Sequence, residues 1–363
     1  MVYKSIKDNI NINKADNNSN NAATTRKKQH LDISLNCNIQ SKKISTGFER
    51  YYFIHQALPE IDLDEIDLST SIFGKNLNIP LMISPLTGGI EESDRINEKL
   101  AKVAQAKGIA MGVGSQRVAI EKMRPGSRCR LRDIAPDILL FANIGAVQLN
   151  YGFTIEECRD AVGMIKADGL MLHLNPLQEV FQDEGNHNFK NLLPKIDYIC
   201  RNLKYPVIVK EVGFGISKNV ARKLIKAGVS GIDIAGAGGT SWIEIEKMRS
   251  NNKMLKKIAE DFENWGIPTS ESVEMVRELN PGIPIIASGG VRKGIDVAKA
   301  IALGADLVGI ALPLLEKINQ SIQSCIDYIE EIEMGLKVVM FGIGASKIDE
   351  LKKSVYLKKK VQV

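Results

Sequence analysis

From Pro80 onward the chain repeats one pattern. Short apolar, often β-branched runs (Leu81–Ser84, Ala110–Gly112, Ile138–Ala142, Leu170–Leu174, Val207–Lys210, Ile232–Ala235, Ile285–Ser288 and Leu307–Ala311) alternate with other segments. In those, such as Arg95–Lys107, Ile155–Lys166, Ser217–Ala227 and Gly294–Leu303, apolar residues recur every three or four positions. Continuous apolar strands alternating with amphipathic helices predict buried parallel strands in βα units. The strand starts lie about 22–40 residues apart, except for a gap of about 53 between the sixth and seventh that leaves room for an extra segment. Eight such units favour an α/β fold closed as a (β/α)8 TIM barrel with an N-terminal extension, because doubly wound sheets usually carry fewer strands. In that fold the chemistry sits at the C-terminal strand ends, where polar and glycine residues cluster in this chain.

Composition changes the picture mainly at the two ends. Seven of the thirteen residues from Asn9 to Asn21 are Asn. The expected division is therefore a disordered tail over 1–23, an N-terminal segment over 24–78 that contributes to the site, a barrel over 79–355 and a basic tail over 356–363. The net charge of +5 is carried by those ends: 1–30 hold +4 and 351–363 hold +5, leaving the body at −4. A nucleic-acid binder would place a basic stripe on the folded body, so no nucleic-acid partner is expected. The longest apolar stretch, Ala300 to Leu315, contains Asp306 and is too short to span a bilayer. No basic segment followed by an apolar core opens the chain, so the expected location is the cytoplasm. Cys37, Cys129, Cys158, Cys200 and Cys325 are scattered and form no CxxC pair, which reads as reduced thiols.

Several strand ends carry candidate chemistry. Ser288-Gly289-Gly290-Val291-Arg292 and Gly309-Ile310-Ala311 end the last two strands, where glycine N–H groups and helix starts can cradle a phosphate. Lys210 ends the fifth strand. Buried there, it needs a negative partner: the N1–C2=O edge of a reduced flavin, Glu211, or another strand-end acid. His173-Leu174-Asn175-Pro176-Leu177-Gln178-Glu179 follows the fourth strand and offers amide and imidazole groups with one carboxylate, suited to an anionic substrate and a hard cation such as Mg2+. Arg117, after Gly112-Val113-Gly114-Ser115-Gln116, can grip a phosphate in bidentate fashion. Arg26, Lys27 and His30 read from composition alone as a solvated basic run.

Eight segments together resemble the type 2 isopentenyl-diphosphate isomerase family. They are Thr25–His30 (TRKKQH), His55–Glu60 (HQALPE), Met82–Gly89 (MISPLTGG), Met111–Arg117 (MGVGSQR), His173–Phe181 (HLNPLQEVF), Gly236–Trp242 (GAGGTSW), Trp265–Thr269 (WGIPT) and Ser288–Arg292 (SGGVR). The likeness runs in order from about residue 24 to 355. It implies an FMN-dependent barrel that interconverts isopentenyl and dimethylallyl diphosphate with Mg2+ and reduced flavin, NAD(P)H serving only to reduce the flavin. It further implies FMN contacts from Met82, Ser84, Thr87, Gly88, Ser115, Asn143, Lys210, Gly239, Thr240, Gly289, Gly290, Val291, Arg292, Ala311 and Leu312. The substrate diphosphate would meet Arg26, Lys27, His30, Arg117, His173, Asn175 and Gln178, and Glu179 would hold Mg2+. A homotetramer is the assembly the resemblance implies. Ala235-Gly236-Ala237 departs from the pattern, since a hydroxyl-bearing residue is expected there. Double-bond transposition adds one proton and removes another, and no rim position supplies two side-chain acids or bases. Reduced FMN, acting through N5 with Lys210 at N1, fits that work.

Two rival readings share the barrel. An FMN-dependent 2-hydroxy-acid oxidase places a catalytic His and Arg after its late strands, but no His follows position 187 here. A non-catalytic flavin-binding barrel would keep the flavin residues and lose Arg26, Arg117, His173, Asn175, Gln178 and Glu179, all of which are present.

Overall fold

The computed structural model describes residues 19–121, 130–280 and 282–361. Within them eight parallel strands form a closed barrel: β1 (Leu81–Ile83), β2 (Ala110–Gly112), β3 (Leu140–Gly145), β4 (Gly169–His173), β5 (Val207–Lys210), β6 (Gly231–Asp233), β7 (Ile285–Ser288) and β8 (Leu307–Ile310). Closure comes from β8 pairing with β1, Val308 opposite Leu81 and Ile310 opposite Ile83. The eight βα units read from the periodicity are thus the barrel. The long gap between β6 and β7 holds three helices: Trp242–Arg249, Lys253–Asp261 and Thr269–Arg277.

Strand alternation sorts the side chains into an outer and an inner set. Leu81, Ile83, Val207, Val209 and Ile232 face outward and pack in the large core under the helices. The inner set is split by height. Its lower level is apolar, with Met82, Ala110, Phe141, Met171, Ile208, Ile286 and Leu307 in one cluster. One step on, toward the C-terminal ends, the inward positions are Ser84, Gly112, Asn143, His173, Lys210, Asp233, Ser288 and Gly309. The barrel interior is therefore a dry floor beneath a polar upper level.

A hairpin that the periodicity did not single out seals the floor. Thr70–Ile72 pairs with Lys75–Leu77, and Phe73 and Gly74 turn the chain with φ of 50° and 76°, the positive values a two-residue hairpin turn demands. Ile72 and Leu77 join the floor cluster, and Phe73 meets Phe141 edge-on with ring centroids 5.8 Å apart.

Both ends of the chain carry more structure than the sequence reading assigned. The first helix runs Ser19–Asn36, so it starts inside the segment read as a disordered tail over 1–23. Ser and Asn favour helix starts, and Ala22-Ala23 propagate the helix, which the Asn count obscured. Within the stretch read as a basic tail over 356–363, Leu357–Lys359 forms an antiparallel strand with Tyr51–Phe53. The Lys359 ammonium there bonds Glu274 at 3.2 Å and sits 5.3 Å from the Tyr51 ring, so its charge is used internally. Cys37, Cys158, Cys200 and Cys325 are free thiols, and burial pushes the Cys158 and Cys325 thiols up to about 12. Cys129 lies outside the described residues. Among the described residues no helix is long and apolar enough to cross a membrane.

Candidate active site

A cavity of about 210 Å³ opens over the polar level, and most of the predicted site residues line it. Arg26, Lys27 and His30 come from the first helix, and Ser84, Thr87, Ser115, Arg117, Asn143, His173, Asn175, Gln178, Glu179 and Lys210 from the first five strand ends. Thr240, Gly289, Gly290, Val291, Arg292, Ala311 and Leu312 complete the far wall. Met82, Gly88 and Gly239 are not in the lining. Met82 points into the floor cluster, one inward step below Ser84. Gly88 packs against the Gly114 backbone, and Gly239 against the Gly290 backbone, at distances no Cβ fits: an added one would sit 2.8 and 2.4 Å from those atoms. These two glycines shape the wall from behind.

The segment that brings Arg26, Lys27 and His30 to the rim is stitched in place. Ser41 N–H donates to the Gly239 carbonyl and Ser241 N–H to the Ile39 carbonyl, each at 2.8 Å, and Ser270 N–H donates to the Thr46 carbonyl at 3.0 Å. A chain of polar contacts, buried at Glu246 and exposed at Glu184, ties the helix itself down. His30 Nε2 lies 2.9 Å from Glu246 Oε1, Arg249 bonds both Glu246 and Glu184 at 2.8 Å, and Arg26 reaches Glu184 at 3.4 Å. Burial would raise the Glu246 carboxyl, but His30 and Arg249 outweigh it and hold it at about 2. Glu246, Arg249 and Glu184 were not singled out by the sequence reading. The Glu246/Arg249 spacing of three on one helix was visible, whereas its partner on a helix more than 200 residues earlier was not.

Lys27 is the poised cation of the group. Burial, with Arg26 and Arg117 adding repulsion, lowers its ammonium to about 7, and its Nζ donates to the Ser115 carbonyl at 3.4 Å. Arg26 reaches Glu184 at 3.4 Å and Arg117 pairs with Glu121 at 2.7 Å, so the charge of this mouth is offset in part and an incoming anion competes with those carboxylates.

His173 is a neutral ring. Burial lowers it to about 3, with the Lys210 and Lys27 charges adding to the effect. Asn143 Nδ2 donates to the Val113 carbonyl at 3.0 Å, so Asn143 Oδ1 faces His173 Nδ1 at 2.9 Å and assigns the proton to Nδ1. Nε2 is then an acceptor, which suits a ligand N–H or O–H better than a phosphate oxygen.

Two of the buried polar atoms without a hydrogen-bond partner line this cavity at the strand ends and are free to meet a ligand. Ser84 Oγ has no hydrogen bond, and neither does Asn175 Oδ1. The Asn175 amide donates to Glu179 Oε1 at 2.9 Å and to Gln178 Oε1 at 3.2 Å, while Asn186 N–H donates to Glu179 Oε2 at 2.5 Å. The Asn175 amide thus turns Nδ2 to Glu179 and leaves Oδ1 without a hydrogen bond. Among the described residues no group of three or more His, Cys, Asp or Glu is assembled for a metal.

The far wall is built for close approach. Gly289 and Gly290 have φ of 106° and 75°, and a Cβ on Gly289 would strike the Gly236 carbonyl at 2.2 Å. Arg292 is held among these turns, its guanidinium pKa lowered by burial. At the departure noted in the sequence, Ala235 adopts a left-handed φ of 35° and exposes no hydroxyl. Thr269, from the segment between β6 and β7, brings a hydroxyl nearby but donates it to the Gly289 carbonyl at 2.6 Å.

Residues 23–130 and 160–358 match the family model described as FMN-dependent dehydrogenase, which is the class this barrel and rim define. Relatives from Nostoc sp. (strain PCC 7120) and Rickettsia canadensis, each 50% identical, are both named isopentenyl-diphosphate delta-isomerase. The first spans 91% of this chain and 94% of its own length, the second 91% and 96%. A third so named, from Oceanobacillus iheyensis, is 48% identical over 90% of this chain and 94% of its own. The chain belongs to the isopentenyl-diphosphate delta-isomerase family. Among solved structures, a putative lactate oxidase from Pediococcus acidilactici superposes with a TM-score of 0.66 at 20% identity, covering 93% of this chain and 94% of that one. Flavocytochrome b2 superposes with a TM-score of 0.67 at 16% identity, covering 93% and 85%. At that identity the likeness is one of fold.

Proposed function

We propose that this rim interconverts isopentenyl and dimethylallyl diphosphate, using bound FMN and Mg2+. One observation carries the reading: a mouth of three cations opens directly onto a glycine-walled, polar pocket that holds unpaired buried groups. A diphosphate neutralises Arg26, Lys27 and Arg117, and its short apolar tail then lies over the pocket.

The residues present fit FMN. Ser84, Thr87, Ser115, Asn143 and Lys210 offer polar contacts to a flat ring, and the Gly289–Arg292 turn with Ala311 and Leu312 offers backbone and guanidinium donors to its phosphate. Reduced FMN, when bound, supplies the proton donor and acceptor that the side chains of this rim do not provide as a pair. Lys210 directs one proton to the Glu211 carbonyl and keeps others for an electron-rich ring edge. Neutral His173 contributes an acceptor at Nε2 and no charge. Glu179 and Asn175 fit Mg2+ as a partial set completed by substrate phosphates, the arrangement this ion favours. The same reading, resting on the family, takes NAD(P)H as reductant and a homotetramer in the cytoplasm as the working form.

The test is direct. Purified protein with FMN, NADH and Mg2+ should convert isopentenyl diphosphate to dimethylallyl diphosphate, followed by proton NMR, and should lose the conversion when FMN is omitted. No conversion by FMN-loaded, reduced protein overturns the proposal.

A further inference from the structure

The upper level of the barrel interior contains one charge that neither the cavity lining nor the substrate mouth accounts for. Asp233 ends β6, is fully buried and does not line the cavity. Ile232 beside it faces the outer core, so alternation turns the carboxylate toward the barrel axis. Ser288 Oγ donates to Asp233 Oδ1 at 2.6 Å and Ala235 N–H donates at 3.3 Å, both fixing the side chain. Oδ2 accepts no hydrogen bond at all, and its nearest cation is Lys210 Nζ at 3.9 Å. Glu211, the acid adjacent to Lys210 in sequence, does not compete. Its carboxylate is turned away and accepts the backbone N–H groups of Val212, Gly213 and Phe214 at 2.6, 2.8 and 2.6 Å. The neighbouring strand end offers only His173, a neutral ring.

Burial pushes the Asp233 carboxyl up and the Lys210 ammonium pulls it back down, so the two groups stand beside each other, both withdrawn from water, without touching. An unpaired carboxylate at this depth is costly, so the ammonium is retained near it, while the Lys210 bond to the Glu211 carbonyl keeps the pair from closing. We propose that Asp233 is a positioning residue that holds the Lys210 ammonium at the barrel axis and, by offsetting its charge, keeps the reduction potential of FMN bound at this rim low. This rests on the FMN reading given above. The pair carries no net charge as it stands. Removing the carboxylate leaves one uncompensated positive charge beside a ring that becomes electron-rich on reduction, which favours the reduced ring.

Asp233→Asn keeps the shape and the acceptor facing Ser288 while removing the charge. The measurement is the equilibrium between oxidised and reduced FMN on the holoprotein against a reference dye, read from the flavin absorbance. At a fixed dye ratio the reduced-to-oxidised ratio should rise at least tenfold, about 30 mV for a two-electron couple. Asp233→Ser, smaller and able to bond Ser288, serves in the same assay if the amide variant does not fold. In Lys210→Gln/Asp233→Asn, where the net charge is again zero, the ratio should return toward that of the parent. An unchanged or lowered ratio in Asp233→Asn overturns the inference while leaving the flavin reading intact. So does failure of both single variants to fold with FMN, which makes the carboxylate purely structural. A parent protein that takes up no FMN fails at the earlier step and removes both readings.

Discussion

At the residue scale, the site acts through groups held away from their ordinary protonation. The Lys27 ammonium is lowered from 10.5 to about 7, so the folded chain binds fewer protons than the unfolded one between those values. Stability from this group therefore falls as pH drops through that window, and the cost is fully in force below about 7. A bound diphosphate reverses the balance by favouring the ammonium. At pH 8 binding of inorganic diphosphate should take up close to one proton more in the parent than in Lys27→Met, where the ligand's own protons cancel in the comparison, seen by calorimetry in buffers of different ionisation enthalpy, and at pH 6 that difference should vanish. His173 gives a second residue-level test. Its ring, lowered to about 3 by burial with help from Lys210 and Lys27, should show no titration between pH 5 and 8 in nitrogen-15 NMR, and the proton should sit on Nδ1. The sequence placed His173 with the substrate groups and Asn143 with the flavin groups and left the charge of His173 open, because charge depends on burial and on two cations from distant segments.

At the element scale, the first helix is held by a chain of charges running Arg26, Glu184, Arg249 and Glu246 that ends on the His30 ring, whose pKa burial lowers. Arg249 is the central link, and removing it leaves buried Glu246 with the His30 ring and the Gln178 amide but no full positive charge beside it. Arg249→Ala should cost about 3 kcal/mol, the size expected for breaking a buried pair, and should speed amide exchange over residues 24–36 more than in the barrel strands. Because Arg26 and Lys27 ride on that helix, the apparent KM for the diphosphate substrate should rise together with the exchange rates. Glu246 adds a pH signature. Its carboxyl, held at about 2 against 4.5 when free, contributes stability that is present above about 4.5 and lost as pH falls toward 2. The helix shows how far the sequence could be read. Arg26, Lys27 and His30 were legible only through a resemblance, because a basic run next to an Asn-rich stretch looks solvated on composition. Periodicity recovered the barrel strands to within a few residues, since an apolar run between helices has few other uses. It missed the floor hairpin, whose three-residue strands are too short to show alternation, and the strand at Leu357–Lys359, where two lysines conceal a pairing edge.

At the scale of the whole molecule, the barrel separates its stability from its chemistry along one axis. The polar upper level places Lys210, Asp233 and His173 in the interior, where each costs free energy, and the floor offsets that cost with tightly packed apolar side chains. Leu77 is the clearest probe of the division. It comes from the hairpin, is almost completely buried and packs in the floor cluster with Phe141 and Met171. None of the cavity-lining residues belongs to that cluster. Truncation there creates a cavity under the barrel without touching the rim, so Leu77→Ala should cost about 2–5 kcal/mol in denaturant unfolding. The slope of the transition should stay unchanged, since the surface exposed on unfolding is nearly the same. Affinity for FMN, followed by the quenching of its fluorescence on binding, should remain within about twofold of the parent at a denaturant-free temperature well below the Tm. A large loss of flavin affinity in this variant would mean that the hairpin sets the position of the strand ends as well as sealing the floor. Stability and site would then be coupled through the barrel rather than stacked along it.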